Sequence, residues 1–389
     1  MAQSSNSYVM GVFEHPTRKA PDKSTAQLHA ECALGALADA GLSLKDVDGY
    51  FCAGDAPGRQ PLVMADYLGL HLHWMDGTDS GGCSYISHLG HAAAAIASGK
   101  CSVALITMGG RPRSTGQQVG VTARTLDPDR PEAAWDSISR SVIATIYGMM
   151  AQRHMQAYGT TSEQLAAVKV AASFHAQYNP HAYLPKPVTI EDVVNSEMIA
   201  DPLHKLDCCV ITDGGGAAVL TNESIARTLK RPLVKVLAAA ETINTNAGGE
   251  VDLLRTGASV TGPAVFRQAG LMPKQIQYAS IYDNFTIMVV MQLEQLGFCK
   301  AGQGGPFVAE GNLLARRGSL PWNTDGGGLS NNHPSNRGGM VKIAEAVRQL
   351  RGEAHPAVQV PNCSLALVSG PGLVVGGAHG YASAILERN

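Results

Sequence analysis

A chain of 389 residues exceeds what one hydrophobic core usually serves, so two domains, or two halves sharing an interface, are expected and a single small domain is excluded. With 45% hydrophobic and 16% charged residues it can bury a large core and keeps little charged surface, which predicts burial against another subunit. A formal net charge of -2 without a basic run leaves no electrostatic footprint for nucleic acid or anionic lipid, so neither is an expected partner.

The segment Met1 to Tyr8 is polar and lacks the apolar core of a secretory leader. Tyr8 to Phe13 reads as a strand, and Ser24 to Ala40 as a helix closed by Gly41. Val47 to Cys52 is a second strand and Leu62 to Leu68 a second helix. The turn Ser80 to Cys83 leads into an Ala-rich helix through Ile96 that is apolar nearly all round and therefore buried. Ser102 to Thr107 suits a central strand of a mixed α/β sheet. From about Arg111 to Leu206 the alternation breaks: helices over Ser139 to Tyr158 and Thr161 to Tyr178, with proline-bearing loops, read as an inserted cap.

The strand Ala217 to Leu220 ends the first half. A strand from Leu233, a helix Gly262 to Ala269, a strand Tyr278 to Tyr282, helices Ile287 to Leu296 and Gly338 to Leu350, and strands Ser364 to Val368 and Ala378 to Leu386 repeat its order. The expected division is 1–230, including the cap at about 111–206, and 231–389. The eight cysteines form no CxxC pair, no run is long enough to span a membrane, and the C-terminus matches no retention address. A soluble, cytoplasmic protein with reduced thiols is expected.

Four loop-like spots stand at element ends, where α/β folds place active sites: Ser80 to Ser84, Tyr282 to Phe285, Asn331 to Pro334 and Ser369 to Gly372. A thiol at a helix N-terminus feels the positive end of the macrodipole, so Cys83 is placed to be a nucleophile with backbone N–H groups beside it for an oxyanion. His333, heading another helix after a glycine run, is placed as its base. His379, beside the closing loop, is a weaker candidate for the same site. His88 and His91 lack a third ligand at metal-binding spacing, so no metal is expected. Cys208 and Cys209 are expected to pack as small apolar residues, and Asp283 to brace its turn. Arg111 and Arg113 read as solvated or as partners of phosphates.

These residues resemble the thiolase superfamily, and within it the sterol-carrier-protein type and its lipid-transfer-like relatives. The resemblance rests on Tyr158-Gly159-Thr160 with Asn179-Pro180, Thr212-Asp213-Gly214, Tyr282-Asp283-Asn284-Phe285 with Leu296-Gly297-Phe298-Cys299, Asn323-Thr324-Asp325-Gly326-Gly327, His333-Pro334 and Gln349-Leu350-Arg351-Gly352-Glu353-Ala354. It implies a five-layered αβαβα fold from two duplicated halves with an inserted cap, a homodimer, no bound cofactor, and a coenzyme A thioester as substrate. It further implies Cys83, His333 and Tyr282 as the catalytic set, with Gly82, Ser84, Asn284, Gly370 and Gly372 lining the substrate. A small accessory protein carrying a zinc ribbon and an OB-fold is the implied partner.

Three departures from the pattern leave alternatives open. The match at the helix start places either Gly82 or Cys83 on the nucleophile position. Tyr282 replaces the Asn or His of ordinary members, which suits oxyanion donation or acid–base work. The last glycine-rich loop, Ser369-Gly370-Pro371-Gly372, lacks the second cysteine. The leading expectation is a thiolase or acyltransferase acting through Cys83. The alternatives are a retro-aldolase using Tyr282 and His333 without a covalent step, as in relatives that cleave steroid side chains, and a non-catalytic acyl-CoA or lipid-binding subunit.

Overall fold

The computed structural model describes residues 6–119, 142–243, 252–334, 338–372 and 380–389. β1 (Ser7–Glu14) leads into α1 (Thr25–Ala40), which starts at a capping box of Ser24 and Gln27 and stops at Gly41 in the left-handed region, φ 68°. β2 (Gly49–Phe51), α2 (Pro61–Leu68), β3 (Trp74–Asp76), α3 (Ser84–Ala97) and β4 (Val103–Gly110) follow. The cap contributes α4 (Val142–Tyr158), α5 (Ser162–Ala176), the short α6 (Ile190–Val194) and the strand pair β5 (Met198–Ala200) and β6 (Leu203–His204). β7 (Gly214–Asn222) and the single turn α7 (Glu223–Ala226) close the first half. The second half runs β8 (Val234–Ile243), α8 (Ala258–Ala269), β9 (Tyr278–Ile281), α9 (Thr286–Gln295), α10 (Gly304–Ala309), α11 (Gly339–Arg351), β10 (Leu365–Pro371) and β11 (Gly380–Arg388).

The strand pairing carries the duplication. In each half the first strand lies antiparallel to the last, β1 on β7 and β8 on β11. The last lies antiparallel to its other neighbour, β7 on β4 and β11 on β10, and that neighbour runs parallel to β2 or β9. The half-sheets meet where β1 pairs with β8 through Tyr8–Lys235 and Val9–Val234. Among the described residues the order is β3-β2-β4-β7-β1-β8-β11-β10-β9.

Period-two alternation then sorts side chains into layers. Ala104, Ile106, Ala218 and Leu220 of the first half-sheet share one core with Ala366, Val368, Ala382 and Ala384 of the second, filled by Ile86 and Leu89 of α3 and Val341 and Ile343 of α11. Their alternates Leu105 and Val219 face Cys32 and Leu37 of α1. On the far side, Leu367, Tyr381 and Ile385 pack with α8, α9 and the cap helices. The layers are thus helix, sheet, paired central helices, sheet, helix.

Several bounds differ from expectation. β3, β5 and β6 carry too few residues for alternation to register in sequence. The helix expected from Gly262 begins at Ala258, with Pro263 inside it. Residues 139–141 and 378–379 of expected elements lie outside the described residues.

Candidate active site

The central helices α3 and α11 start at the same place, and Tyr282, the first residue beyond β9, lies between their starts. Its backbone N–H donates to Ser369 O at 2.8 Å, which ties the end of β9 to β10. Its ring is gripped by glycines from three segments. A Cβ at Gly82 would overlap the ring edge, one at Gly338 would come within 2.6 Å of it, and one at Gly370 within 2.5 Å of the Tyr282 Cβ. Only glycine allows the main chain so close.

The Tyr282 hydroxyl is 2.5 Å from His333 Nε2 and accepts from the Gly338 N–H at 3.1 Å. The two rings stack with centroids 5.5 Å apart at 26°. Since Gly338 already supplies one hydrogen to the phenol oxygen, we assign the phenol as donor to Nε2. Both groups are buried, at 3% and 5% exposure. Burial pushes His333 down to about 4, against the pull of the Asp283 carboxylate. Burial, then the neighbouring Cys209 thiol, raise Tyr282 well above an ordinary phenol, while the Gly338 N–H opposes them. At neutral pH the pair is therefore an uncharged phenol on an uncharged imidazole.

The segment before His333 is a single π-helical turn, Gly327–Asn331, held from several directions. Asp283 accepts from Gly328 N at 2.8 Å and Leu329 N at 3.0 Å and pairs with buried Lys342 at 2.7 Å. Gly327 is required there: its φ is 61°, and a Cβ would overlap the Asp283 carboxylate. From the cap, Lys169 donates to Leu329 O at 2.6 Å and Ser330 Oγ at 2.9 Å, and burial pushes its ammonium down to about 8. His333 N donates to Thr212 Oγ1 at 2.9 Å, which donates to Asn332 Oδ1 at 2.7 Å. Asn332 and Asn331 in turn donate to Glu14 Oε1 at 2.9 and 3.1 Å.

Cys83, expected as the nucleophile, is buried, and that burial disfavours a thiolate. Cys83 stands at the start of α3, but it is 1% exposed, its sulfur packs in the central core, and burial pushes the thiol up to about 12. Its polar partners are Ser80 Oγ at 3.3 Å and Ser80 O at 3.7 Å. Of the two residues in question, Gly82 abuts Tyr282, whereas Cys83 faces Gly372. The Ser84 hydroxyl, expected at the substrate, is taken up locally: it donates to Gly81 O at 2.7 Å and accepts from Ser80 N at 3.0 Å. Gly370 and Gly372 serve close packing, against Tyr282 and against Ser80 and Cys83. His379 lies outside the described residues.

Asn284 does reach the site, where its Nδ2 donates to the Tyr147 hydroxyl at 2.7 Å. Tyr147, Lys169, Lys342 and Glu14 were absent from the sequence expectations, because nothing local marks a residue that acts across such separations. Arg113 stacks on the Tyr183 ring, 4.5 Å from its centroid, and Arg111 donates to Ala20 O, so neither is merely solvated. His91 bridges Asp76 at 2.6 Å and Glu241 at 3.0 Å. Among the described residues no group of His, Cys, Asp or Glu is arranged to hold a metal, and no helix is long and apolar enough to cross a membrane. A cavity of about 670 Å³ lies against the segment that pairs with Asn284, lined by Arg113, Tyr183, Met198, Leu206, Cys209 and Val210.

Comparisons with known proteins bear on the family and the fold. Residues 239–388 match the family model described as thiolase C-terminal domain-like. A Mycobacterium tuberculosis protein named 17-hydroxy-3-oxo-4-pregnene-20-carboxyl-CoA lyase is 36% identical over 88% of this chain and 91% of its own length. The chain belongs to the thiolase superfamily, in its sterol-carrier-protein type. Within that superfamily an acetyl-CoA acetyltransferase from Methanothermobacter thermautotrophicus is 32% identical over 89% of this chain and 91% of its own. The solved structure of an "Ltp2-ChsH2(DUF35) aldolase" superposes with a TM-score of 0.87 at 31% identity, covering 98% of each chain. This thiolase-superfamily chain is accordingly an enzyme whose relatives include both lyases and acyltransferases.

Proposed function

We propose that the chain is a thiolase-fold aldolase, a lyase that cleaves the Cα–Cβ bond of a β-hydroxyacyl-CoA without an acyl-enzyme. The observation that carries this reading is the 2.5 Å contact between Tyr282 and a neutral His333, in a site where Gly82 rather than a thiolate abuts the phenol. A retro-aldol cleavage needs a base for the β-hydroxyl and an acid for the α-carbon, and no nucleophile. As the β-hydroxyl gives its proton to the Tyr282 oxygen, the phenol proton passes to His333 Nε2. The C–O bond becomes a carbonyl, the Cα–Cβ bond breaks, and its electron pair forms the thioester enolate. The same proton, returned through Tyr282, completes the acyl-CoA at Cα. Hydroxyl and carbon are thus served by one pair, and the atoms balance without a co-reactant.

The substrate class follows the Mycobacterium tuberculosis relative. In a 17-hydroxy steroid bearing a 20-carboxyl-CoA the hydroxyl stands β to the thioester, and cleavage between those carbons yields a 17-ketone and propanoyl-CoA. The cavity lined by Cys209, whose N–H donates to Asn284 O, has a volume of about 670 Å³, within the usual range of about 300–1,000 Å³ for such ligands. We further propose that the chain works as a homodimer, divided near residue 230 into its two halves, with a small accessory subunit, as the name of the two-component aldolase suggests.

The test is turnover of a 17-hydroxy-20-carboxyl-CoA steroid, with ketone and propanoyl-CoA followed by mass spectrometry. Cys83→Ala is expected to stay within a few-fold of the native rate, and Tyr282→Phe to lose about 10²-fold or more in kcat. An acyl adduct on Cys83, or inactivity of Cys83→Ala with intact folding, would falsify the proposal in favour of acyl transfer through that thiol.

A further inference from the structure

A second phenol stands in this site, and its hydrogen bonding is opposite in sense to that of Tyr282. Tyr147, on α4 of the cap, is fully buried, with its ring stacked on Phe285 at 4.3 Å and 24°. Its hydroxyl oxygen accepts from Asn284 Nδ2 at 2.7 Å. The Asn284 amide is oriented by its other end, since Oδ1 accepts from the Phe285 N–H at 3.1 Å, so Nδ2 is the end that meets Tyr147. Among the described residues the Tyr147 hydroxyl hydrogen has no acceptor. A buried hydroxyl that accepts but does not donate is incomplete, and the missing partner is an acceptor oxygen.

Its surroundings point to that oxygen. Asn284 is two residues from Tyr282, and Cys209 interacts electrostatically with both phenols while its N–H donates to Asn284 O at 2.9 Å. Tyr282 is coupled to a proton acceptor, His333, and can part with its proton. Tyr147 is coupled to a donor, which strengthens its own O–H as a donor; burial raises both phenols, so their partners and not their burial set them apart. Two like groups given opposite tasks by their partners is how acid and base roles are divided in a site.

We propose that Tyr147 is the oxyanion donor of this enzyme, its hydroxyl hydrogen-bonding the thioester carbonyl oxygen of the substrate as that oxygen gains enolate charge. The identity of that oxygen rests on the aldolase reading. Asn284 is its positioning residue, acting through the phenol. Tyr282 is already engaged with His333, and Tyr147, from the cap, is the phenol whose hydrogen is not committed among the described residues.

The probe is propanoyl-CoA labelled with ¹³C at the thioester carbonyl, whose infrared band falls in frequency when the oxygen is hydrogen-bonded. Bound to the native protein the band is expected to shift down, and in Tyr147→Phe, which keeps the stacked ring, to return to its position in an apolar site. In the cleavage assay Tyr147→Phe is expected to lose about 10²-fold or more in kcat with KM nearly unchanged. Asn284→Asp retains the phenol but replaces its donor by an acceptor that captures the hydroxyl hydrogen, so the same loss of shift and rate is expected. A band still shifted in Tyr147→Phe, or an Asn284→Asp variant as fast as the native protein, overturns the assignment. Native protein that shifts the band but cleaves no β-hydroxyacyl-CoA supports Tyr147 and removes the aldolase reading. Native protein that cleaves without shifting the band removes Tyr147.

Discussion

His333 carries two pH consequences of opposite visibility. Burial holds its folded value at about 4, below the ordinary 6.5, so between those values the unfolded chain binds a proton that the folded chain refuses. Stability therefore falls as pH drops from 6.5 toward 4, by on the order of 3 kcal/mol for this group. His88 and His175, also pushed to about 4 by burial, act in the same direction. The imidazole itself stays largely neutral and able to accept the Tyr282 proton down to about pH 5. Cleavage kcat, measured on folded protein, is thus expected to stay flat down to about pH 5, while melting temperature declines over the same interval. A kcat that halves near pH 6.5 would show that His333 is not held in its neutral form. The sequence offered His333 for its place at a helix start, as the partner of Cys83, and Tyr282 through the family resemblance. It did not reveal that the two meet each other, since the contact spans 51 residues.

At the scale of elements, the decisive feature is the short 3-10 turn Gly81–Cys83 that runs into α3. The match to the family pattern left Gly82 and Cys83 one residue apart in register, and in the structure it is Gly82 that abuts Tyr282. The strands were more legible, because buried β-branched and aliphatic runs such as Val103 to Ile106 declare themselves. The position of Gly82 gives a sharp expectation. A methyl there would overlap the Tyr282 ring edge and approach Pro371 O at 2.7 Å. Tyr282 cannot retreat, being fixed by Ser369 O on one side and Gly338 on the other. Gly82→Ala is therefore expected to cost about 1–3 kcal/mol of stability by overpacking. It should also lower cleavage kcat at least tenfold, with KM moving less. Calorimetry and steady-state kinetics on the purified variant read both, and a Gly82→Ala enzyme with native kcat would mean that the phenol is not confined against this turn.

At the scale of the molecule, the His333 loop of the second half is held from the first half as well as by Asp283 and Lys342 of its own half. Element order alone suggested the duplication, but the polar links that join the halves beside their shared apolar core and the β1–β8 pairing are distant in sequence and invisible to periodicity. Arg351 of α11 donates to Val9 O and Met10 O of β1, and Thr212 at the end of the cap receives the His333 N–H. Glu14, the last residue of β1, is the most connected of these links. Its Oε1 accepts from Arg18 at 2.8 Å as well as from Asn331 and Asn332, and its Oε2 meets Arg348 at 3.4 Å. Burial alone would raise this carboxyl, but the Arg18 and Arg348 guanidinium groups bring it below the ordinary range, so it is charged. Removing it leaves Asn332 Nδ2 without its acceptor and takes one of two acceptors from Asn331 Nδ2 and from Arg18 Nη2, so the loop preceding His333 loses one of its anchors. Glu14→Ala is expected to lower kcat about tenfold or more while leaving KM for the acyl-CoA within a few-fold, and Glu14→Gln, which keeps an acceptor oxygen, to recover part of that loss. Because Glu14 acts on His333 through Asn332, the double variant Glu14→Ala/Asn332→Ala should be little slower than the slower single one. Additive losses in ln kcat would show instead that the two side chains act separately, and that the first half does not position the catalytic imidazole through this carboxylate.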